Sequence, residues 1–207
     1  MSILSEDILS RKLKGVRVGF AMCGSFCTFS EVFPVIEQLV AYECDVFPIM
    51  SHMSYSTDTR YGTAEYHRNR FQEITGKEII HEITTAEEIG PKKMFDVLVV
   101  APCTSNTLAK IANGVNDTPV TMAIKSHIRN LRPVVLAIAT NDALSGSAHN
   151  VGKLINRKYI YFTPMHQDNY ITKPNSVLAF FEQIPETIYY ALDEQQIQPV
   201  TVIEKDN

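Results

Sequence analysis

The stretch VRVGFAM-CGSFC-TFSE, residues 16–31, read together with CDVFPIM, residues 44–50, decides the fold. The first seven residues are apolar enough for a buried strand. Residues 23–27 form a short loop around Gly24. Thr28 and Glu31 have the spacing of a capping box, in which a hydroxyl and a carboxylate satisfy each other's backbone donors at a helix start. Val32, Phe33, Ile36, Leu39 and Val40 then recur at helical spacing. Residues 44–50 read as a second strand. Strand, tight loop, helix, strand is a βαβ unit, and its right-handed crossover makes the two strands parallel.

Working outward, residues 51–61 are polar and rich in Ser and Thr, which predicts a loop. A helix over 63–75 is stopped by Gly76. Residues 79–83 predict a short strand and 96–101 (DVLVVA) a strong one. Thr104 caps a helix through Asn113, which Gly114 ends, and another helix covers 119–130. The run PVVLAIA, residues 133–139, carries no charge, as expected of a central parallel strand covered on both faces. A helix over 147–157, a strand over 159–162 and a closing helix over 175–192 complete the pattern. No repeat, low-complexity segment or linker interrupts it. The alternation predicts one α/β domain over 1–207: a Rossmann-like, doubly wound parallel sheet in three αβα layers. Its core is expected over about 15–192, with polar N- and C-terminal tails.

Composition narrows the class of function. The chain has 207 residues, 45% hydrophobic and 20% charged, which is ordinary for a globular protein. The net charge of −4 argues against nucleic acid, whose binders carry a basic excess. No apolar run approaches the roughly 20 residues needed to span a bilayer, and the N-terminus lacks the apolar region of a signal peptide. A cytoplasmic protein is expected. Cys23 and Cys27 make a C-x3-C pair without two further ligands nearby, so no metal is expected there. Cys44 and Cys103 lie in or beside apolar runs, where Cys behaves as a small hydrophobe. The six histidines show no metal-binding spacing. His166, after the last predicted strand, is the one to watch.

Ligands of open parallel sheets sit beyond the carboxyl ends of the strands, so the loops there carry the candidate chemistry. Gly24 and Ser25 offer close backbone approach and a hydroxyl at a helix start, which suits a phosphate. Gly19 and Gly24 are five apart, so the dinucleotide fingerprint G-x-G-x-x-G is missing, as is the Walker A pattern. Cys103, Thr104, Ser105, Asn106 and Thr107 crowd polar groups at a second helix start, where one cap residue would suffice. Asn141 and Asp142 follow the most apolar strand; the amide can hold a carboxylate, while Asp142 would repel one. The loop 54–60 ends in Arg60, whose guanidinium suits an anionic substrate.

The motif Pro102-x-x-Ser105-Asn106-Thr107-x-x-Lys110-x-Ala112-x-Gly114, with Asp117 soon after, resembles the signature of the homo-oligomeric flavin-containing cysteine decarboxylase family. That family includes phosphopantothenoylcysteine decarboxylases, lantibiotic cysteine decarboxylases and flavin prenyltransferases. The resemblance spans about residues 15–190. It implies FMN, with its phosphate at Gly24-Ser25, the hydroxyl of Ser51 facing the flavin, and Asn141 in place of an asparagine that holds the substrate carboxylate. It also implies a trimer-based homo-oligomer with sites between subunits. Two departures stand out. Ile89-Gly-Pro-Lys-Lys93 occupies the region of the family's catalytic histidine, and the reactive lid cysteine has no clear match.

Further segments, among them residues 15–20, 28–34, 90–92, 128–133, 140–144 and 173–176, resemble one branch of the family. Its members are the B subunits of a two-subunit oxidoreductase of spore-forming bacteria. That resemblance implies oxidation of a small cyclic dicarboxylate together with an A subunit, which would bind NAD or NADP. Two alternatives remain open: a stand-alone FMN-dependent decarboxylase or prenyltransferase, and a non-catalytic subunit that activates its partner.

Overall fold

Strand β1 (Arg17–Met22) lies between two parallel neighbours, β2 (Asp45–Met50) and β3 (Val97–Cys103), in the computed structural model, which describes residues 4–202. Helix α2 (Phe29–Ala41) makes the β1–β2 crossover, so the predicted βαβ unit is present. Val18, Phe20 and Met22 bury on one face of the sheet and Ala21 on the other, the period-2 alternation of a strand. At Gly19 a side chain has no room. A Cβ there would lie 2.4 Å from the Phe95 ring and 2.8 Å from Leu98.

Strand β4 (Val134–Thr140) runs parallel to β3, and all seven of its residues are buried. Its outer edge is divided. Val134–Leu136 pair parallel with β5 (Ile160–Phe162), whereas Ala139 and Thr140 pair antiparallel with β7 (Val177–Ala179). Strand β6 (Met165–Gln167) pairs antiparallel with β7. The order is β2-β1-β3-β4-β7-β6, with β5 beside β4. The sheet is therefore mixed, where the sequence predicts a wholly parallel one. The reason is length: the antiparallel strands β6 and β7 have three residues each, too few for a periodic signal. The closing helix predicted over 175–192 is accordingly β7, a 3-10 turn (Phe181–Gln183) and helix α9 (Ile184–Leu192) with a proline in its first turn.

Helices cover both faces. Helix α1 (Glu6–Leu13), α2, α4 (Ala64–Thr75) and α9 bury Leu13, Ile36, Phe71 and Ile188 against one face. Helices α5 (Ile83–Glu87), α6 (Ser105–Asn113), α7 (Pro119–Ile128) and α8 (Ala148–Ile155) bury Ala86, Leu108, Val120 and Leu154 against the other. Fully burying a side chain of the Leu or Phe kind stabilises by about 1.5–3 kcal/mol.

Other local expectations change. The polar N-terminal tail contains α1, because Leu9 and Leu13 lie one helical turn apart and both reach the core. Beyond α9, Ile197 is buried and the Gln196 amide bonds both backbone groups of Phe162, so this segment is packed as well. The loop 51–61 holds a one-turn helix α3 (His52–Ser56), capped by Ser51. The strand at 79–83 reduces to one bridge, Ile49 to Ile80. The capping box at Thr28 and Glu31 does not form. A 3-10 turn over Phe26–Thr28 holds Thr28 at φ −99° and ψ 0°, and its hydroxyl donates to the Ser25 carbonyl instead. Among the described residues no helix is long and apolar enough to cross a membrane.

Candidate functional site

Strand order reverses between β1 and β3, and that is where open α/β sheets bind ligands. The loop after β1 supplies Gly24 and Ser25 to one side of a cleft, and the loop after β3 supplies Thr104 and Ser105 to the other. Ala139, Thr140 and Asn141 at the end of β4 contribute its middle. Asp168, Lys173, Ser176 and Leu178 of the β6–β7 hairpin close the far side. The divided edge of β4 is what brings that hairpin to the carboxyl ends. The cleft encloses about 720 Å³, within the roughly 300–1,000 Å³ typical of small-molecule and cofactor sites.

The structure brings five of the sequence-predicted residues together here: Gly24, Ser25, Thr104, Ser105 and Asn141. At Gly24 neither backbone conformation nor packing requires glycine. The closest atom to an added Cβ is the Met53 Cβ at 3.4 Å, an ordinary contact. Asn141 is exposed, and its amide makes no hydrogen bond to another described residue.

The other predicted residues are not among those lining the cleft. Ser51 accepts the Ser54 N–H at 3.2 Å as the cap of α3. Cys103 is fully buried, and desolvation holds its thiol pKa well above the ordinary value. Thr107 donates to the Cys23 Sγ at 3.3 Å beneath the loop. That bond opposes burial, which pushes the Cys23 thiol up to about 11. Asn106 is exposed on α6. Arg60 donates to the Tyr61 hydroxyl at 2.7 Å and lies over the same ring. His166 stacks on Phe180 and lines a separate apolar cavity of about 230 Å³ with Ile138, Leu144 and Val177.

Sequence reading missed the hairpin and misassigned the charges. Lys173 donates to Asp168 at 2.8 Å, and the Asn169 N–H and Ser176 hydroxyl complete the carboxylate's partners at 2.8 and 3.2 Å. The Lys173 bond is the largest cause holding the Asp168 pKa below its ordinary value. Asp142, expected to repel an anion, is absorbed by its own loop through the hydroxyls of Thr140 and Ser147. Glu31, read as half of a capping box, lines the cleft and makes no hydrogen bond or ion pair with a described residue. The residue is exposed at the cleft; partial desolvation first, then the charge of Glu182, raise its pKa, while His166 opposes the shift and Asp168 adds to it.

The Ile89–Lys93 region lies at the opposite, amino-terminal side of the sheet. Gly90 packs under α7, its N–H donating to the Ser126 hydroxyl at 3.1 Å. Nearby, Asp96 is bound by Arg17 at the start of β1.

The family model for flavoproteins matches residues 6–188, nearly the whole of this architecture. The chain belongs to the flavoprotein family. It is 45% identical over 190 residues to the B subunit of dipicolinate synthase of Bacillus subtilis (strain 168), covering 92% of this chain and 95% of that one. The crystal structure of the dipicolinate synthase B subunit from Bacillus halodurans superposes with a TM-score of 0.86 at 42% identity, covering 93% of this chain and 99% of the other. The FMN-dependent cysteine decarboxylase SpaF superposes with a TM-score of 0.64 at 22% identity, over 88% of this chain and 98% of its own. That likeness extends the fold well beyond the synthases.

Proposed function

We propose that this chain is the B subunit of a dipicolinate synthase, acting with an A subunit to oxidise dihydrodipicolinate to pyridine-2,6-dicarboxylate during sporulation. The observation that carries the reading is the cleft at the switch point. It is a cofactor-sized space with hydroxyls on one side and a charged hairpin on the other, in a chain 45% identical to such a subunit. The setting would be the cytoplasm of the mother cell.

The cleft's donor set fits a flavin. Neutral hydroxyls from Ser25 and Ser105 suit phosphate and ring heteroatoms, and Thr104 beside them caps α6 through the Thr107 N–H. Bound there, FMN would supply two-electron chemistry, with orientation and hydrogen bonding left to the protein. Ser51, Cys103, Asn106 and Thr107 would then act as support behind the loops or through a neighbouring protomer. Asn141 would donate its amide to one substrate carboxylate. Arg60 would meet the other only across the boundary between protomers of a trimer-based homo-oligomer. The nicotinamide dinucleotide, NAD or NADP, would belong to the A subunit, in keeping with the missing fingerprint here.

Two features weigh against the stand-alone decarboxylase. The stretch 89–93 carries no histidine, and it lies away from the cleft. The test is FMN titration of the pure chain, alone and with the A subunit, followed by flavin fluorescence. Saturable micromolar binding that weakens at least tenfold in Gly24→Ala and Ser25→Ala is expected. No binding in either state would refute the flavin site and favour a non-catalytic subunit that activates its partner. Turnover without the A subunit would favour the stand-alone enzyme.

A further inference from the structure

We propose that Glu31 is the base that removes the proton as the dihydropyridine dicarboxylate becomes aromatic. This rests on the function proposed above and names a role that the family's histidine cannot fill here, because that region is Ile89-Gly-Pro-Lys-Lys93. Among the described residues two carboxylates line the cleft, Glu31 and Asp168. Asp168 has Lys173, Ser176 and the Asn169 N–H as partners, so its basicity is spent. Glu31 has none among the described residues. The 3-10 turn over Phe26–Thr28 is the cause: it commits both the N–H and the hydroxyl of the cap residue Thr28 to the Ser25 carbonyl, so the side chain of Glu31 has no capping box to close.

The groups around Glu31 set its basicity. Partial desolvation of this exposed side chain favours the protonated form, and Glu182 on the 3-10 turn before α9 and Asp168 on the hairpin, as like charges, act the same way. His166 on β6 opposes them. Lys173 faces the same space but is paired with Asp168. The start of α2 also favours the anion. The net shift is upward, which makes the Glu31 carboxylate a stronger proton acceptor than an ordinary one.

The step balances as follows. One ring C–H bond of the dihydropyridine breaks, and its hydrogen leaves with the electron pair to a two-electron acceptor, the chemistry that FMN would supply if bound in the cleft. A second ring hydrogen leaves as a proton to a Glu31 carboxylate oxygen, and the electrons of that bond complete the aromatic π system. The substrate loses a hydride to the acceptor and a proton to Glu31, two hydrogens and two electrons in all, and Glu31 ends neutral. A neutral Glu31 also removes one negative charge from beside the two carboxylates of the product. Product binding is therefore linked to proton uptake by this side chain.

The experiment is calorimetric titration of the full chain with pyridine-2,6-dicarboxylate between pH 5 and 8, in buffers of different ionisation enthalpy. The wild-type chain is expected to take up a proton on binding, with a maximum between the free and bound pKa values of Glu31. Glu31→Gln, which mimics the protonated carboxyl, is expected to bind the product at least as tightly with that uptake abolished. With the A subunit present, the same variant should lose turnover by about 100-fold or more. Unchanged proton uptake or unchanged turnover in Glu31→Gln would overturn the assignment. Failure of the wild-type chain to bind the dicarboxylate, alone and with the A subunit, would instead overturn the substrate reading on which it stands.

Discussion

Replacing Gly19 by alanine is expected to be among the most damaging one-carbon changes the chain can take. The residue sits in β1, paired on one side with Phe47 of β2 and on the other with Leu98 of β3. An added Cβ would lie 2.4 and 2.5 Å from two carbons of the Phe95 ring and 2.8 Å from the Leu98 Cδ1. Real Cβ contacts keep more than 3 Å, so the neighbours must move. They have little freedom: Phe95 and Leu98 are fully buried, and the Phe95 ring packs against Phe47 at 5.2 Å and His127 at 6.2 Å. Overpacking a filled core costs about 1–3 kcal/mol, and three simultaneous clashes put this case near the top of that range. For a chain of this size that lowers Tm by about 6–12 °C. The assay is thermal unfolding followed by circular dichroism. Gly114→Ala is the control. It has no atom within 4 Å of an added Cβ and bears only the cost of φ +72°, about 1–2 kcal/mol. A Gly19→Ala melting temperature no lower than that of the control would refute the packing argument. The expectation reaches the site, because β1 ends in the loop that presents Gly24 and Ser25 to the cleft.

His127 is buried with its Nε2 bonded to the Pro133 carbonyl at 3.1 Å, and desolvation is the main cause that lowers its pKa to about 4. The unfolded chain takes up this proton near pH 6.5 and the folded chain does not, so stability is lost as pH falls from about 6.5 toward 4. At pH 5 the loss is about 2 kcal/mol relative to pH 7. Urea melts at the two pH values should show a smaller difference in His127→Gln, and an equal difference would refute the assignment. Leu13→Ala should destabilise by about 2–5 kcal/mol, because the side chain is fully buried in the core. A loss under about 0.5 kcal/mol in the same melts, the range of an ordinary surface change, would mean that α1 is not part of the cooperative fold.

The local pattern of the sequence determined the central architecture. Apolar runs at 16–22, 44–50, 96–101 and 133–139 are long enough to commit to strands without help, and the helices between them carry their own period and end at Gly76 and Gly114 in the left-handed region. The right-handed crossover made the first strand pair parallel, and the rule that ligands sit beyond the carboxyl ends of such strands put Gly24, Ser25, Thr104, Ser105 and Asn141 at one end of the sheet. Tertiary structure decided the rest, where competing interactions are close in energy. Three residues cannot declare a strand alone, so β6 and β7 exist only because the end of β4 offers them an edge. Thr28 and Glu31 had the right spacing for a capping box, but the 3-10 turn before α2 gave the Thr28 hydroxyl a different partner. Asp142 and Asp168 are the same side chain in the sequence. One is absorbed by hydroxyls of its own loop, and the other is matched to a lysine across a hairpin. Charge in the cleft is a property of distances between elements remote in sequence. That is why Glu31, in the first turn of α2, became a free carboxylate of the site only once the chain was folded.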